Sequence, residues 1–260
     1  ETFRMCLSID SLDAAALSET GILYASAGFE KDALYNLTKA YKLDKTNWWY
    51  NIRLLSLFAK LGKADDAIKI AKNLQKQYPQ KEEVYQILGS LYKETKQYKK
   101  AIIAFNQLEK VSGVDEALSI EKYGLYNELK KPEKGILEID KLVAKYPTET
   151  KYKVVRGDIY LQQNKPEKAF ELYQKVLDED PENAFVYISL SDYYNSINEP
   201  SKAMESIVKA LKNDQLAVEQ KIDILGQYVQ KLIQDTVRLD ETESLFKLLV
   251  DRYPLEERVH

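Results

Sequence analysis

A period of 34 residues constrains this chain more than any other feature. Tyr78-Pro79, Tyr146-Pro147 and Tyr253-Pro254 each close a charged stretch, and Asp180-Pro181 does the same. Pro79 and Pro147 lie two periods apart and Pro147 and Pro181 one, so Gly113 takes the proline's place in the unit between. Units begun at residues 14, 48, 82, 116, 150 and 184 stay in phase without an insertion. Their eleventh places read Tyr24, Phe58, Tyr92, Tyr126, Tyr160 and Tyr194, all aromatic. Their twentieth places read Ala33, Ala67, Ala101, Gly135, Ala169 and Ala203, all small. The eighth place is Gly21, Gly89, Gly157 or Ser191 in four units, but Leu55 and Tyr123 in the others. Such phasing marks one supersecondary unit repeated in series.

Each unit reads as a helix hairpin. In the third, Val84, Leu88, Leu91 and Tyr92 fall at helical spacing and put an apolar stripe on a first helix. Residues 93–97 are polar and end it. Tyr98, Ala101, Ile102, Phe105 and Leu108 give the stripe of a second helix. So short a turn makes the two helices antiparallel neighbours. The small residues at places eight and twenty imply close approach of the axes, where a larger side chain would overpack. Gly28, Gly62, Asn164 and Asn198 follow the first helices, where a residue with positive φ closes a helix. Pro132, Pro166 and Pro200 then suit the first turn of the second helices. A hairpin this thin cannot bury both its faces, so stacking on the next unit must supply the core, and most of the tyrosines are packing residues.

The pattern resembles the tetratricopeptide repeat family. Tyr85, Leu88, Gly89, Tyr92, Ala101 and Phe105 carry the likeness in the third unit, and Gly157, Tyr160, Ala169, Tyr173 and Pro181 in the fifth. The second unit departs with Asn51 at place four, and the fourth with Ser119 and Lys122 at places four and seven, so these two are expected to pack less regularly. The resemblance implies an all-α fold, a right-handed α-α superhelix (solenoid) of antiparallel helix pairs over residues 1–260. Residues 1–13, with Phe3 and Cys6, read as the end of a preceding repeat. Repeats follow at 14–47, 48–81, 82–115, 116–149, 150–183 and 184–217, then an irregular pair at 218–254, with about five extra residues expected near Asp235–Asp240, and the start of a further helix at 255–260. Both ends are therefore expected to be cuts within an array.

On each first helix, places 2, 5, 9 and 12 form one stripe, flanked by 6 and 13. The resemblance puts this stripe on the concave face, where the family's ligands usually lie. Here it presents Trp49 with Arg53 in the second unit, Gln86 with Lys93 in the third, and Asn127 in the fourth. Asp158 follows in the fifth, and Phe185, Asp192 and Asn195 in the sixth. Trp49 and Phe185 are expected as anchors, because aromatics bury much area at little entropic cost. Asp158, Asp192, Glu121 and Glu219 against Lys151 make the later part mildly acidic, which favours a basic or neutral partner segment. One subclass of the family grips chaperone C-terminal carboxylates with lysine, asparagine and arginine at set places. No three consecutive units here supply that set.

Function classes fall away on composition. The net charge of −3 offers no excess of cations for a phosphate backbone, so nucleic acid is not an expected partner. One cysteine and one histidine, the terminal His260, leave no means to assemble a nucleophilic triad or dyad. No glycine-rich phosphate loop occurs. Carboxylates at Asp65-Asp66 and Asp178–Asp180 fall at helix ends, where they are ordinary caps. No catalytic residue, cofactor or metal is expected. Asn36-Leu37-Thr38 forms a glycosylation sequon, but inside a helix. No apolar run is long enough to span a bilayer. The start at Glu1 predicts a trimmed chain, either cytoplasmic or exported after loss of a signal peptide. The expected function is a non-catalytic scaffold that binds a protein or peptide segment. The alternatives are a module that self-associates through its ends, or the substrate-selecting repeat region of a larger protein.

Overall fold

The computed structural model describes residues 11–214, 216–233 and 239–254. Phe3 and Cys6, most of the expected insertion near Asp235–Asp240, and the expected helix start at 255–260 lie outside the described residues. Among the described residues all regular structure is α-helical, in fourteen helices. They are α1 (Ala14–Ser26), α2 (Glu30–Leu43), α3 (Trp48–Lys60), α4 (Ala64–Gln77), α5 (Glu82–Glu94), α6 (Tyr98–Ser112) and α7 (Glu116–Glu128). After them come α8 (Pro132–Lys145), α9 (Thr150–Gln162), α10 (Pro166–Glu179), α11 (Ala184–Ser196), α12 (Pro200–Lys212), α13 (Val218–Ile233) and α14 (Leu239–Arg252).

The chain forms two compact units, Glu1–Glu138 and Ile139–His260. In the first, α1 packs on α2, α3 on α4 and α5 on α6, and each pair leans on the next through its second helix. In the second, α9 packs on α10, α11 on α12 and α13 on α14, with α9 also against α11. The partners are antiparallel because only three residues join them, as at 27–29 and 163–165. Each unit is thus a row of helix pairs, the solenoid organisation.

One turn recurs six times. Gly28, Gly62, Lys96, Lys130, Asn164 and Asn198 all have φ between 55° and 82°. The next N–H reaches back to the eleventh-place carbonyl, from Phe29 to Tyr24 at 2.9 Å and from Gln97 to Tyr92 at 2.7 Å, closing a Schellman motif. Lys96 and Lys130 pay the left-handed penalty that glycine avoids, roughly 1–2 kcal/mol for an ordinary residue. Replacing both by glycine should raise stability, although glycine's unfolded-state entropy takes back about 0.5–1 kcal/mol at each site. Thermal melts of Lys96→Gly and Lys130→Gly should show a midpoint a few degrees above wild type, at about 2–4 °C per kcal/mol.

The core follows the repeat. The twentieth-place alanines, Ala33, Ala67, Ala101, Ala169 and Ala203, are wholly buried, as is Tyr173 at place twenty-four. Gly89 has no side chain because the Phe105 ring occupies its space: a Cβ there would lie 2.2 Å from Cε1. Gly157 stands in the same relation to Tyr173, at 2.4 Å. In the second pair Leu55 replaces the glycine and Ala71 replaces the ring, both buried.

Departures at place four have local reasons. Tyr85 and Tyr187 donate their hydroxyls to the carbonyls of Pro79 and Pro181, at 2.7 and 2.8 Å. Asn51, fully buried, donates Nδ2 to the Lys45 carbonyl at 2.9 Å, the residue six positions back in each case. An amide here does the work of the phenol. The sequon asparagine, Asn36, is buried and donates Nδ2 to the Asp32 carbonyl at 2.8 Å, so its amide is engaged within α2.

Candidate functional site

The expected contact residues stand on the first helices of both units, in differing surroundings. In the unit Glu1–Glu138, Asn47 caps α3 by accepting from the Trp49 and Tyr50 amides, so that Trp48, Trp49 and Tyr50 open the helix. Their environments differ. Trp48 meets Tyr78 edge to face at 5.4 Å, with the Lys81 ammonium 4.0 Å over its ring. Trp49 points away and remains 64% exposed. Arg53, one turn further on, is turned inward: its Nη1 lies 2.7 Å from Glu19 and donates to Ser18 Oγ at 2.7 Å. That side chain ties α3 to α1.

The third and fourth pairs hold a cavity of about 830 Å³. Gln86, Ser90 and Lys93 of α5 form one wall, and Ala117 and Glu121 of α7 the other. Phe105 and Leu108 of α6 and Leu118 of α7, all buried, lie beneath it. Lys93 Nζ meets Glu121 Oε1 at 2.7 Å across the two walls. Asp115 both lines the cavity and caps α7, accepting from the Leu118 amide at 3.1 Å. Asn127 lies further along α7 and is exposed. Among the described residues no group of three or more His, Cys, Asp or Glu side chains could hold a metal ion.

In the unit Ile139–His260, Asn183 caps α11, accepting from the Val186 amide at 3.0 Å. Phe185 stands at the start of that helix and is 53% exposed. Asp192 lies two turns on, about 10 Å along the axis, and Asn195 follows it. Asp158 of α9 accepts from the buried Tyr173 hydroxyl at 2.8 Å. Burial first, and then the Asp158 carboxylate with a smaller push from Asp192, hold that phenol protonated well above its ordinary range. Asp158 therefore joins the first-helix face to the core.

Sequence reasoning missed the cavity floor. Phe105 and Leu108 sit at places that other pairs use for packing, so the pattern marks them as core and not as cavity lining.

Comparison with known proteins follows the same segments. Tetratricopeptide repeat models match residues 55–81, 82–113 and 151–183. The chain is a tetratricopeptide repeat protein. No curated protein matches it. Among solved structures, that of Naa15/Naa10 bound to HypK-THB aligns over 95% of this chain and 37% of its own, with 15% identity and a TM-score of 0.50, a likeness of fold. A tetratricopeptide repeat protein from Parabacteroides merdae aligns over 86% of this chain and 88% of its own, at 19% identity and a TM-score of 0.48. YrrB, described as a TPR protein with an unusual peptide-binding site, aligns over 69% and 92%, at 18% identity and a TM-score of 0.45. No helix among the described residues of this repeat protein is long and apolar enough to cross a membrane.

Proposed function

We propose that this tetratricopeptide repeat protein is a non-catalytic scaffold that binds a protein or peptide segment on the faces of its first helices. The observation that carries this is the exposure of Trp49 and Phe185 at the starts of α3 and α11. Each aromatic stands on a helix whose opposite side is core, and a tryptophan left 64% exposed loses apolar area to water that a partner would cover. Gln86, Asn127 and Asn195 supply polar groups on the same faces. Arg53 and Asp158 support those faces from within, since both are held by neighbouring helices.

The test is a pull-down with the intact chain beside Trp49→Ala, Phe185→Ala and the double variant. Exposed substitutions of this kind change stability by only about 0.5 kcal/mol, so all variants should remain helical by circular dichroism. An aromatic anchor contributes about 2 kcal/mol or more, roughly a thirtyfold loss of affinity. A partner recovered by the wild type should be lost from the double variant. Identical partners recovered by all four proteins would refute the anchors.

A further inference from the structure

The cavity between α5 and α7 combines an apolar floor with an acidic rim. Phe105, Leu108 and Leu118 lie at its base. Glu82, Glu83, Glu94, Asp115 and Glu121 surround it with five carboxylates against one ammonium, Lys93. Its volume of about 830 Å³ falls within the range of pockets that take a ligand, and it has room for more than one side chain. The Lys93 side chain is 52% exposed and that of Glu121 33%, so their ion pair sits at the opening and not in the core.

We infer that this cavity receives a cationic segment of a partner protein, with an apolar side chain on the floor and lysine or arginine at the rim, and that the Lys93–Glu121 pair is a latch which this segment displaces. The inference rests on the scaffold function proposed above and adds the partner's chemistry. Charge complementarity selects the occupant. An acidic segment would bring like charges against five carboxylates, whereas a cationic one relieves their mutual repulsion. The latch costs little to open, because an exposed ion pair contributes little and the incoming cation takes over the same carboxylate. Arginine has the advantage over lysine, since it can grip Glu121 through two parallel hydrogen bonds. Lys93 thus acts as a built-in competitor for the partner's cation.

The test uses the intact chain and fluorescence anisotropy with three labelled peptides of equal length. One alternates lysine with leucine, one carries serine in place of lysine, and one carries glutamate. The lysine peptide should bind, and more weakly as sodium chloride is raised. The serine peptide should bind less well and the glutamate peptide not at all. Lys93→Met should tighten the lysine peptide roughly two- to fivefold, the range an exposed ion pair commands. Glu121→Gln should loosen it by a similar factor. Both residues are partly exposed, and circular dichroism should show both variants as helical as wild type. Looser binding in Lys93→Met, equal binding of the lysine and glutamate peptides, or no binding of any peptide would overturn the inference. Those outcomes would leave the scaffold function standing, because that is tested through Trp49 and Phe185 with a natural partner.

Discussion

Gly89→Ala should destabilise the protein by about 3 kcal/mol, near the upper end of the usual cost of overpacking. A single methyl group causes this because of where it would fall. Its carbon would lie 2.2, 2.5 and 2.6 Å from three carbons of the Phe105 ring, where ordinary contact needs 3.5–4.0 Å. The ring is 2% exposed, so displacing it means giving up its contacts in the core. Either α5 and α6 must separate or the ring must leave its rotamer. Gly21→Ala should be milder, since its obstacle at 2.7 Å is the side chain of Leu37, which bends more easily than a ring. Gly124→Ala should have the opposite sign. Nothing stands within 4 Å of that position, and alanine is the better helix former by about 0.8–1.0 kcal/mol. Urea midpoints of the three variants would establish the order, and a Gly89→Ala midpoint equal to wild type would contradict the packing account.

The second pair shows how the strain is relieved. There Leu55 stands in the glycine's place and Ala71 in the ring's, so bulk has moved from the second helix to the first. Gly89→Leu alone should be worse than Gly89→Ala. Phe105→Ala alone should cost about 3–5 kcal/mol for its cavity. The double variant should cost less than the sum, with a coupling of about 1–3 kcal/mol, because it reproduces the distribution of volume already used one repeat earlier.

This reciprocity sets the limit of what could be read from the chain alone. The aromatic and small places were legible because each helix meets the same neighbours in every unit, so packing repeats with the sequence. Leu55 looked like a lapse from the pattern until it was paired with Ala71. Asn51 looked like another, and it satisfies the same carbonyl position that Tyr85 and Tyr187 satisfy elsewhere. The turn was legible at Gly28, Gly62, Asn164 and Asn198, but Lys96 and Lys130 share its conformation through context, not preference. At the candidate site, the exposure of Trp49 and Phe185 follows from helical spacing. The partners of Arg53, Lys93 and Asp158 do not, since Glu19, Glu121 and Tyr173 come from other helices, and spacing along one helix does not fix contacts between helices. The floor of the cavity was hidden for the same reason.

The fourth unit was expected to pack less regularly because of Ser119 and Lys122, and the structure shows how Lys122 is held. It is wholly buried in a place where Leu54, Leu88 and Leu190 stand in other units. Its Nζ lies 2.7 Å from Glu109 of α6 and 2.7 Å from Glu138 of α8, and these carboxylates are 15% and 6% exposed. Lys122→Leu should therefore cost about 3–5 kcal/mol, although it restores the leucine of the other repeats, because it leaves one buried and one partly buried carboxylate without the ammonium between them. Adding Glu109→Leu and Glu138→Leu should recover most of that loss, since a buried ionic cluster is often no more stable than an apolar one of similar size. Denaturant midpoints of the single and triple variants would measure both steps, and a harmless Lys122→Leu would show that the ion pairs contribute nothing. The outcome bears on binding as well. Lys122 faces the core from α7, while its neighbour Glu121 lines the cavity from the same turn. A triple variant that keeps wild-type stability but loses the affinity of the lysine peptide would mean that the buried charges hold α7 at the angle the cavity requires.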